Sequence, residues 1–536
     1  MHDKDQEGAQ KQSTANVIRL TVSHLAPFFL LPMVHLFQSP AVRCIYIIAV
    51  MILGWILEPV PFQITSFFPL IMGPLLSLAV TRDLAKFYLN EPIANSIAGL
   101  TVTLIAQNCG LNKRISYKMI LLVGAQIKWL MLAFMTFVFL LSMFVSNVAV
   151  TSIMMSVVDT LIFEISTTEL DIRKNELRQQ RDTQEEEVQP NLQRESYANL
   201  KSKQLRKTFL LSIGYAATLG GTSFVAGNRT NIQVLTYVNR ISHEERLTAF
   251  NWMLYCFPVC FLSMVLGWGF LYRVYLREYD SHTQRQERKL KDEIKKKLRS
   301  LPRTHAEVLS TFLYSLCLVL WLTRRPFIVP GWSDLLELQE NHVTDSSVGF
   351  LIAFIAFMIP VKSFNFSLEH RLMEWKFIQK NMPWAIIFII GGGSTLTEII
   401  QSSGLFSVIF DKSASAALGS TGNLLVSVLV TSLVTEFTNA DVTMFQVLDL
   451  AEKKQESGST STLFYALPMA LTNNFAFVLP SSEAWNAIVF EIGGLSVVPG
   501  LFMKMTTLVL SMIAFFSSGI ILFNITDELY SNYSGV

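Results

Sequence analysis

Two short polar clusters interrupt strongly apolar runs: Ser146 and Asn147 within LLSMFVSNVAVTS, and Thr438 and Asn439 within LVTEFTNADVT. Hydrocarbon offers no water to a hydroxyl, an amide or a free peptide group, so such groups inside an apolar run must be satisfied by protein or by a solute. A fixed charge at that depth costs roughly 2.5–3.5 kcal/mol on insertion scales, whereas hydroxyls and amides can hold a small anion more cheaply. A helix beginning at either cluster would also aim its first N–H groups and the positive end of its dipole at a carboxylate. Ser142, one turn before Ser146, offers an oxygen to a cation. Gly220, Gly221 and Gly227 permit a non-helical backbone whose carbonyls could ligate Na⁺. Each reading has a structural rival: interhelical hydrogen bonding for the hydroxyls and amides, close helix packing for the glycines. Gly391 to Gly393, followed by Ser394 and Thr395, suit a second hairpin tip, but lack the Lys and spacing of a phosphate-binding loop.

These residues need a scaffold, and the composition says which kind. Of 536 residues 51% are hydrophobic and only 16% charged, with a mean hydropathy of +0.40, more apolar than a soluble surface of this size can carry. Apolar segments near 23–38, 42–57, 62–80, 129–146, 209–225, 252–276, 306–323, 346–361, 384–400, 420–435 and 501–523 approach the roughly 20 residues needed to span hydrocarbon. Shorter pieces at 92–107, 147–163, 463–479 and 486–498 suit re-entrant hairpins or half-helices. The five Cys residues contain no CxxC pair, so neither a disulfide framework nor a metal site is expected. Residues 1–22 lack the apolar core of a secretory signal and read as a cytoplasmic tail. No nucleophile, metal-ligand or nucleotide motif suggests an enzyme, and nothing suggests nucleic-acid binding.

Two charged stretches, 165–207 and 277–304, read as solvated cytoplasmic linkers. The second carries ten basic residues against five acidic ones, and basic loops stay on the cytoplasmic side. The spans that follow put 527–536 outside, where Asn532 and Asn524 lie in glycosylation sequons. Glu58 and Glu436 sit in apolar surroundings, where a buried acid is a functional candidate by default. The chain also repeats itself: each polar break is followed by a small-residue segment ending in Asn, at Asn231 after 84 residues and at Asn486 after 47. Residues 23–164 and 208–276 therefore read as a first repeat and 305–526 as a second, in the manner of carriers whose inverted halves meet at the substrate.

The motifs GLNKRISYKMILLVGAQIKWLMLAFM leading into LSMFVSN, then YAATLGGT, IIGGGSTLTEIIQSSGL, LVTEFTN and FAFVLP followed by NAIVFEIGGLSV closely resemble the divalent-anion/sodium symporters of solute carrier family 13. That family contains the sodium-coupled dicarboxylate and citrate cotransporters. The resemblance covers nearly the whole chain. It implies an all-α polytopic membrane protein with inverted repeats and re-entrant hairpins, a homodimer in which a transport domain moves like an elevator against a scaffold. It implies that Ser146, Asn147, Thr438 and Asn439 hold substrate carboxylates, and that Ser142, Ser146, Asn147, Gly227, Thr435 and Asn439 flank cation sites.

This chain departs from the family pattern in places. Val148 replaces a Thr. Aligned without a gap on Thr435 and Glu436, Asn439 stands at the family's Ser and Ala440 at its Asn, whereas a one-residue slip restores Thr438 and Asn439. Asn228, Arg229 and Thr230 before Asn231, and Glu483, Ala484 and Trp485 before Asn486, replace small and Pro-rich stretches beside the cation sites. Arg229 either replaces Na⁺ electrostatically, pairs with a dicarboxylate, or forms a salt bridge to a neighbour such as Glu483. The expectation is a secondary carrier of di- or tricarboxylates in the plasma membrane, sodium-coupled or a sodium-independent exchanger. The alternative is a transport-inactive receptor or scaffold with degenerate motifs.

Overall fold

The computed structural model describes residues 39–511 except 58, 182–191, 242–246, 280–283, 327–328, 339–341, 362–370, 415–418, 457–461 and 494–498, together with scattered positions between 21 and 34. The expectations for Glu58, Asn524, Asn532 and both terminal tails fall outside the described residues. Those residues are helical, with no named strand and one isolated bridge between Pro360 and Arg371. In chain order the helices that matter are α1 Pro40–Leu57, α2 Glu91–Asn108, α3 Leu111–Val123, α4 Ile127–Ser142, α5 Asn147–Arg181, α6 Leu192–Ser223 and α7 Arg229–Ile241. The chain continues with α8 Ala249–Leu271, α9 Gln284–Ser300, α10 His305–Arg324, α11 Asp345–Met358, α12 Ala385–Ser402, α13 Gly419–Val434, α14 Ala440–Glu456, α15 Thr462–Asn473 and α16 Ala484–Gly493.

Among the described residues five stretches are long and apolar enough to cross a bilayer: α1, α10, α12, the first 26 residues of α5, and α8 with its continuation to Tyr279. Helices α3 and α4 form a sixth, bent by 115°. The bend falls at Gly124, whose φ of +113° would strain any residue with a Cβ. Three of the expected spans are shorter helices here, at Phe62–Leu75, Asp345–Met358 and Gly422–Val434. The piece at 92–107 is part of one unbroken 18-residue helix, α2, and 147–163 is the start of a 35-residue helix, α5, rather than a half-helix. Breaks rather than spans are the theme: the backbone leaves the helix at 143–146, 224–228, 435–439 and 474–483.

Most of each charged stretch is helical. Helix α5 carries the first on to Arg181 and α6 resumes it at Leu192, because the charges answer one another across the pair. Lys201 meets Glu169 at 3.0 Å, and the Arg206 guanidinium grips both oxygens of Asp159 at 2.7 and 2.9 Å. The second stretch forms α9, whose Leu290 and Ile294, one turn apart, are buried against α3 and α5 and contribute about 1.5–3 kcal/mol each. Lys297 adds a hydrogen bond of 2.9 Å to Thr168 Oγ1.

Helix α6 packs against α4, α5 and α8 in the first half, and α15 against α13 and α14 in the second. The halves interlock where α7 lies on α14 and α15. An internal symmetry fixes how. Asn231 donates from Nδ2 to the carbonyls of Gly221 and Phe224 at 2.8 and 2.9 Å, while Asn486 donates to those of Ala476 and Leu479 at 2.9 and 3.1 Å. Both are fully buried and both reach back ten and seven residues. Each amide thus answers carbonyls at a helix break, and in each pair the nearer carbonyl has a second donor, Gly227 N on Phe224 at 3.2 Å and Ser482 Oγ on Leu479 at 2.9 Å.

Candidate functional site

The four breaks converge on one cavity of about 200 Å³, lined among others by Ser146, Asn147 and Val148 of the first tip, Gly227 to Arg229, Asn439 and Asp441 of the second tip, and Ser481 to Glu483. That volume is below the roughly 300–1,000 Å³ of drug-sized pockets and suits a small solute.

The tips are built alike. Helix α5 begins at Asn147 and α14 at Ala440, so Ser146 and Asn439 are the equivalent last residues before each helix. The geometry therefore takes the ungapped register, which puts Ala440 opposite Asn147 and Asp441 opposite Val148. Both tip residues cap their helices: Ser146 Oγ accepts from Ala149 N at 3.4 Å, and Asn439 Oδ1 from Asp441 N at 2.8 Å. Their own N–H groups, expected to face a carboxylate, are already engaged. Ser146 N donates to Asp345 Oδ2 at 3.3 Å and Asn439 N to Thr397 Oγ1 at 2.8 Å. What remains for an anion is the Ser146 hydroxyl, the side-chain amides and the later first-turn N–H groups. Thr438 does not join them. It is 1% exposed, and its Oγ1 is bonded to the Val434 carbonyl at 2.8 Å and to Thr443 Oγ1 at 2.6 Å.

Behind the first tip oxygen atoms crowd around two glycines. Ser142 Oγ donates to Asn147 Oδ1 at 2.7 Å. A Cβ on Gly227 would stand 2.6 Å from both the Ser142 and Gly221 carbonyl oxygens, and one on Gly221 only 1.9 Å from Asn147 Oδ1. Only glycine fits between these atoms, and the oxygens that line this cradle are the hard donors that an alkali cation takes. Gly220 serves packing instead, against the Phe139 carbonyl. Gly391 to Gly393 form no hairpin tip; they lie buried inside α12, where helices press too close for side chains.

In the second half Thr435 is the counterpart of Ser142 and is fully buried. The neighbouring Glu436 carboxylate accepts from the N–H groups of Phe477, Val478 and Leu479 at 3.0 to 3.3 Å, holding the 474–483 break. Asn474 ties the halves together, accepting from Thr230 Oγ1 at 2.5 Å and donating to Asn231 Oδ1 at 2.7 Å. Asn228 Nδ2 lies 3.5 Å from the same Asn474 Oδ1.

The charges on the wall are mostly matched. Arg229 meets Glu91, not Glu483, at 2.5 Å; Arg324 meets Asp345 at 3.1 Å; Arg325 meets Asp334 at 3.4 Å. Asp441 and Glu483 stand outside these pairs, so the lining carries more acid than base. An anion entering such a wall needs a cation beside it. Glu91, Arg324, Asp345 and Thr397 escape sequence reasoning because each reaches the site from a distant helix. The signals available were local: Asn90, whose side chain caps Ile93 N ahead of α2, and Thr344, whose N–H is answered by Ser347 ahead of α11.

The sodium:sulfate symporter transmembrane region family matches residues 11–525. The chain belongs to this family. It is 28% identical to a Na(+)/citrate cotransporter of Mus musculus over 88% of this chain and 89% of the relative. It is 27% identical to the sodium-dependent low-affinity dicarboxylate transporter 1 of Caenorhabditis elegans, over 88% and 85%, and to solute carrier family 13 member 1 of Mus musculus, over 87% and 88%. The protein is thus a polytopic helical member of a transporter family.

Proposed function

We propose that this protein is a secondary active carrier that moves di- or tricarboxylates of the succinate and citrate class, coupled to Na⁺. The observation that carries the reading is the convergence of two repeat-related helix breaks on one small cavity, with the Gly227 cradle directly behind the first. Ser142, Asn147 and the carbonyls of Ser142 and Gly221 would hold Na⁺, whose charge offsets both the substrate and the acidic lining. The Ser146 hydroxyl and the amides of Asn147 and Asn439 would contact the carboxylates. Arg229, held by Glu91, presents a positive edge to them. The names of the relatives, citrate and dicarboxylate cotransporters, agree with that substrate class.

The same reading includes a homodimer in the plasma membrane, a cytoplasmic N-terminus, an extracellular C-terminus, and a moving domain that carries the cavity across the bilayer. The test is uptake of radiolabelled succinate and citrate into proteoliposomes under an inward Na⁺ gradient or with choline in its place. Saturable, Na⁺-dependent accumulation is expected. No accumulation of either solute, in either salt, refutes carriage and leaves a receptor or scaffold.

A further inference from the structure

The second half contains a cation of its own making. Lys504, in the helical stretch 499–511, is 6% exposed. Its Nζ lies 2.9 Å from Glu436 Oε1 and donates to the Phe475 carbonyl at 2.5 Å and to Thr435 Oγ1 at 3.2 Å.

Those partners mark a definite place in the repeat. The tip register that pairs Ser146 with Asn439 also pairs Ser142 with Thr435. The brace register that pairs Asn231 with Asn486 also pairs Gly220 and Gly221 with Phe475 and Ala476. Ser142 and Gly221 build the first cradle, so Thr435 and Ala476 mark its counterpart, with Phe475 at the position of Gly220 beside it. A hydroxyl, a carbonyl and a carboxylate oxygen surround that point, and the atom they surround is the lysine nitrogen. If Lys504 only neutralised Glu436, contact with the carboxylate would suffice, since three N–H groups already fix that side chain. The bonds to Thr435 and to the Phe475 carbonyl, one residue before Ala476, bring the ammonium to that counterpart. The first half differs at this level: α8 sends a neutral donor, Trp252 Nε1, to the Thr222 carbonyl at 3.0 Å, and no ammonium enters the Gly227 gap among the described residues.

We propose that Lys504 is a tethered ammonium that fills the second cradle in place of a metal ion, so that only the first cradle exchanges Na⁺. This deepens the sodium-coupled reading and rests on it. Two charges of like sign cannot share so small a set of oxygens, and the lysine stem anchors its own charge to the protein. The second half then keeps its ammonium, paired with Glu436, through the cycle.

The experiment is equilibrium binding of ²²Na⁺ to the purified full-length protein in detergent with saturating succinate, which reads ion number without flux. Wild type should show one saturable site per chain, Lys504→Ala two, and Lys504→Arg one. Two or more sites in wild type, or one in a folded Lys504→Ala, overturn the proposal. Should Lys504→Ala fail to fold, the wild-type count still decides. Absence of binding in wild type and Lys504→Ala alike overturns the sodium-coupled reading together with this inference. Na⁺-driven uptake by a wild type with two sites overturns the inference alone.

Discussion

Replacing Gly227 with alanine tests whether the gap behind the first tip holds a cation. The new methyl would meet the Gly221 Cα, the Gly221 oxygen and the Ser142 oxygen, each at 2.6 Å, where ordinary contact begins at 3.4 Å. All three are backbone atoms, so the gap must open by about 0.8 Å and cannot be relieved by a rotamer change. Overpacking of this kind costs about 1–3 kcal/mol. Because the relief pushes apart the oxygens that would ligate Na⁺, that cost falls on the ion-bound state, which converts to a roughly 5- to 150-fold weaker Na⁺ affinity. The assay is the rise in melting temperature of the purified protein as Na⁺ replaces choline, followed by the Na⁺ concentration for half-maximal succinate uptake. The half-maximal concentration should rise and the thermal response flatten. A folded Gly227→Ala with the Na⁺ response of wild type would refute the cradle.

Asn231→Ala and Asn486→Ala take the side-chain donor from the buried Gly221 and Ala476 carbonyls, while Phe224 keeps Gly227 N and Leu479 keeps Ser482 Oγ. Each should cost about 1–3 kcal/mol for the carbonyl so stripped and lower the melting temperature by similar amounts, because the braces are equivalent. A large loss for one and none for the other would break the proposed symmetry. Arg229→Ala strips Glu91 of its partner in a wall already rich in acid, so the KM for succinate should rise. The double variant with Glu91→Ala should recover part of that loss. Strictly additive effects in uptake assays would show that the pair does not act on the substrate.

The breaks and the two Asn braces were legible in the chain because each is local: polar residues in an apolar run, and an Asn closing a small-residue segment. The helices at 165–181, 192–207 and 284–300 were not, since charge density reads as a loop until two long helices put Arg206 opposite Asp159. Arg229 was read as an ion substitute, a carboxylate partner or half of a salt bridge; it pairs with Glu91, and the ammonium beside Thr435 belongs to Lys504. That Lys lies in an apolar segment and finds Thr435 and Glu436 about seventy residues away, a pairing that no periodicity encodes. The slip between Thr438 and Asn439 could be settled only by seeing where α14 starts.

The glycines of α12 have a mechanical meaning. A Cβ on Gly391 would meet the Tyr88 ring at 2.4 Å, on Gly392 the Ser66 carbonyl at 2.2 Å, and on Gly393 the Ser481 carbonyl at 2.3 Å. Three separate segments are seated against one shaft with no clearance. Any translation that carried the 474–483 break past α12 would drive backbone into backbone. These parts are therefore packed as a single block.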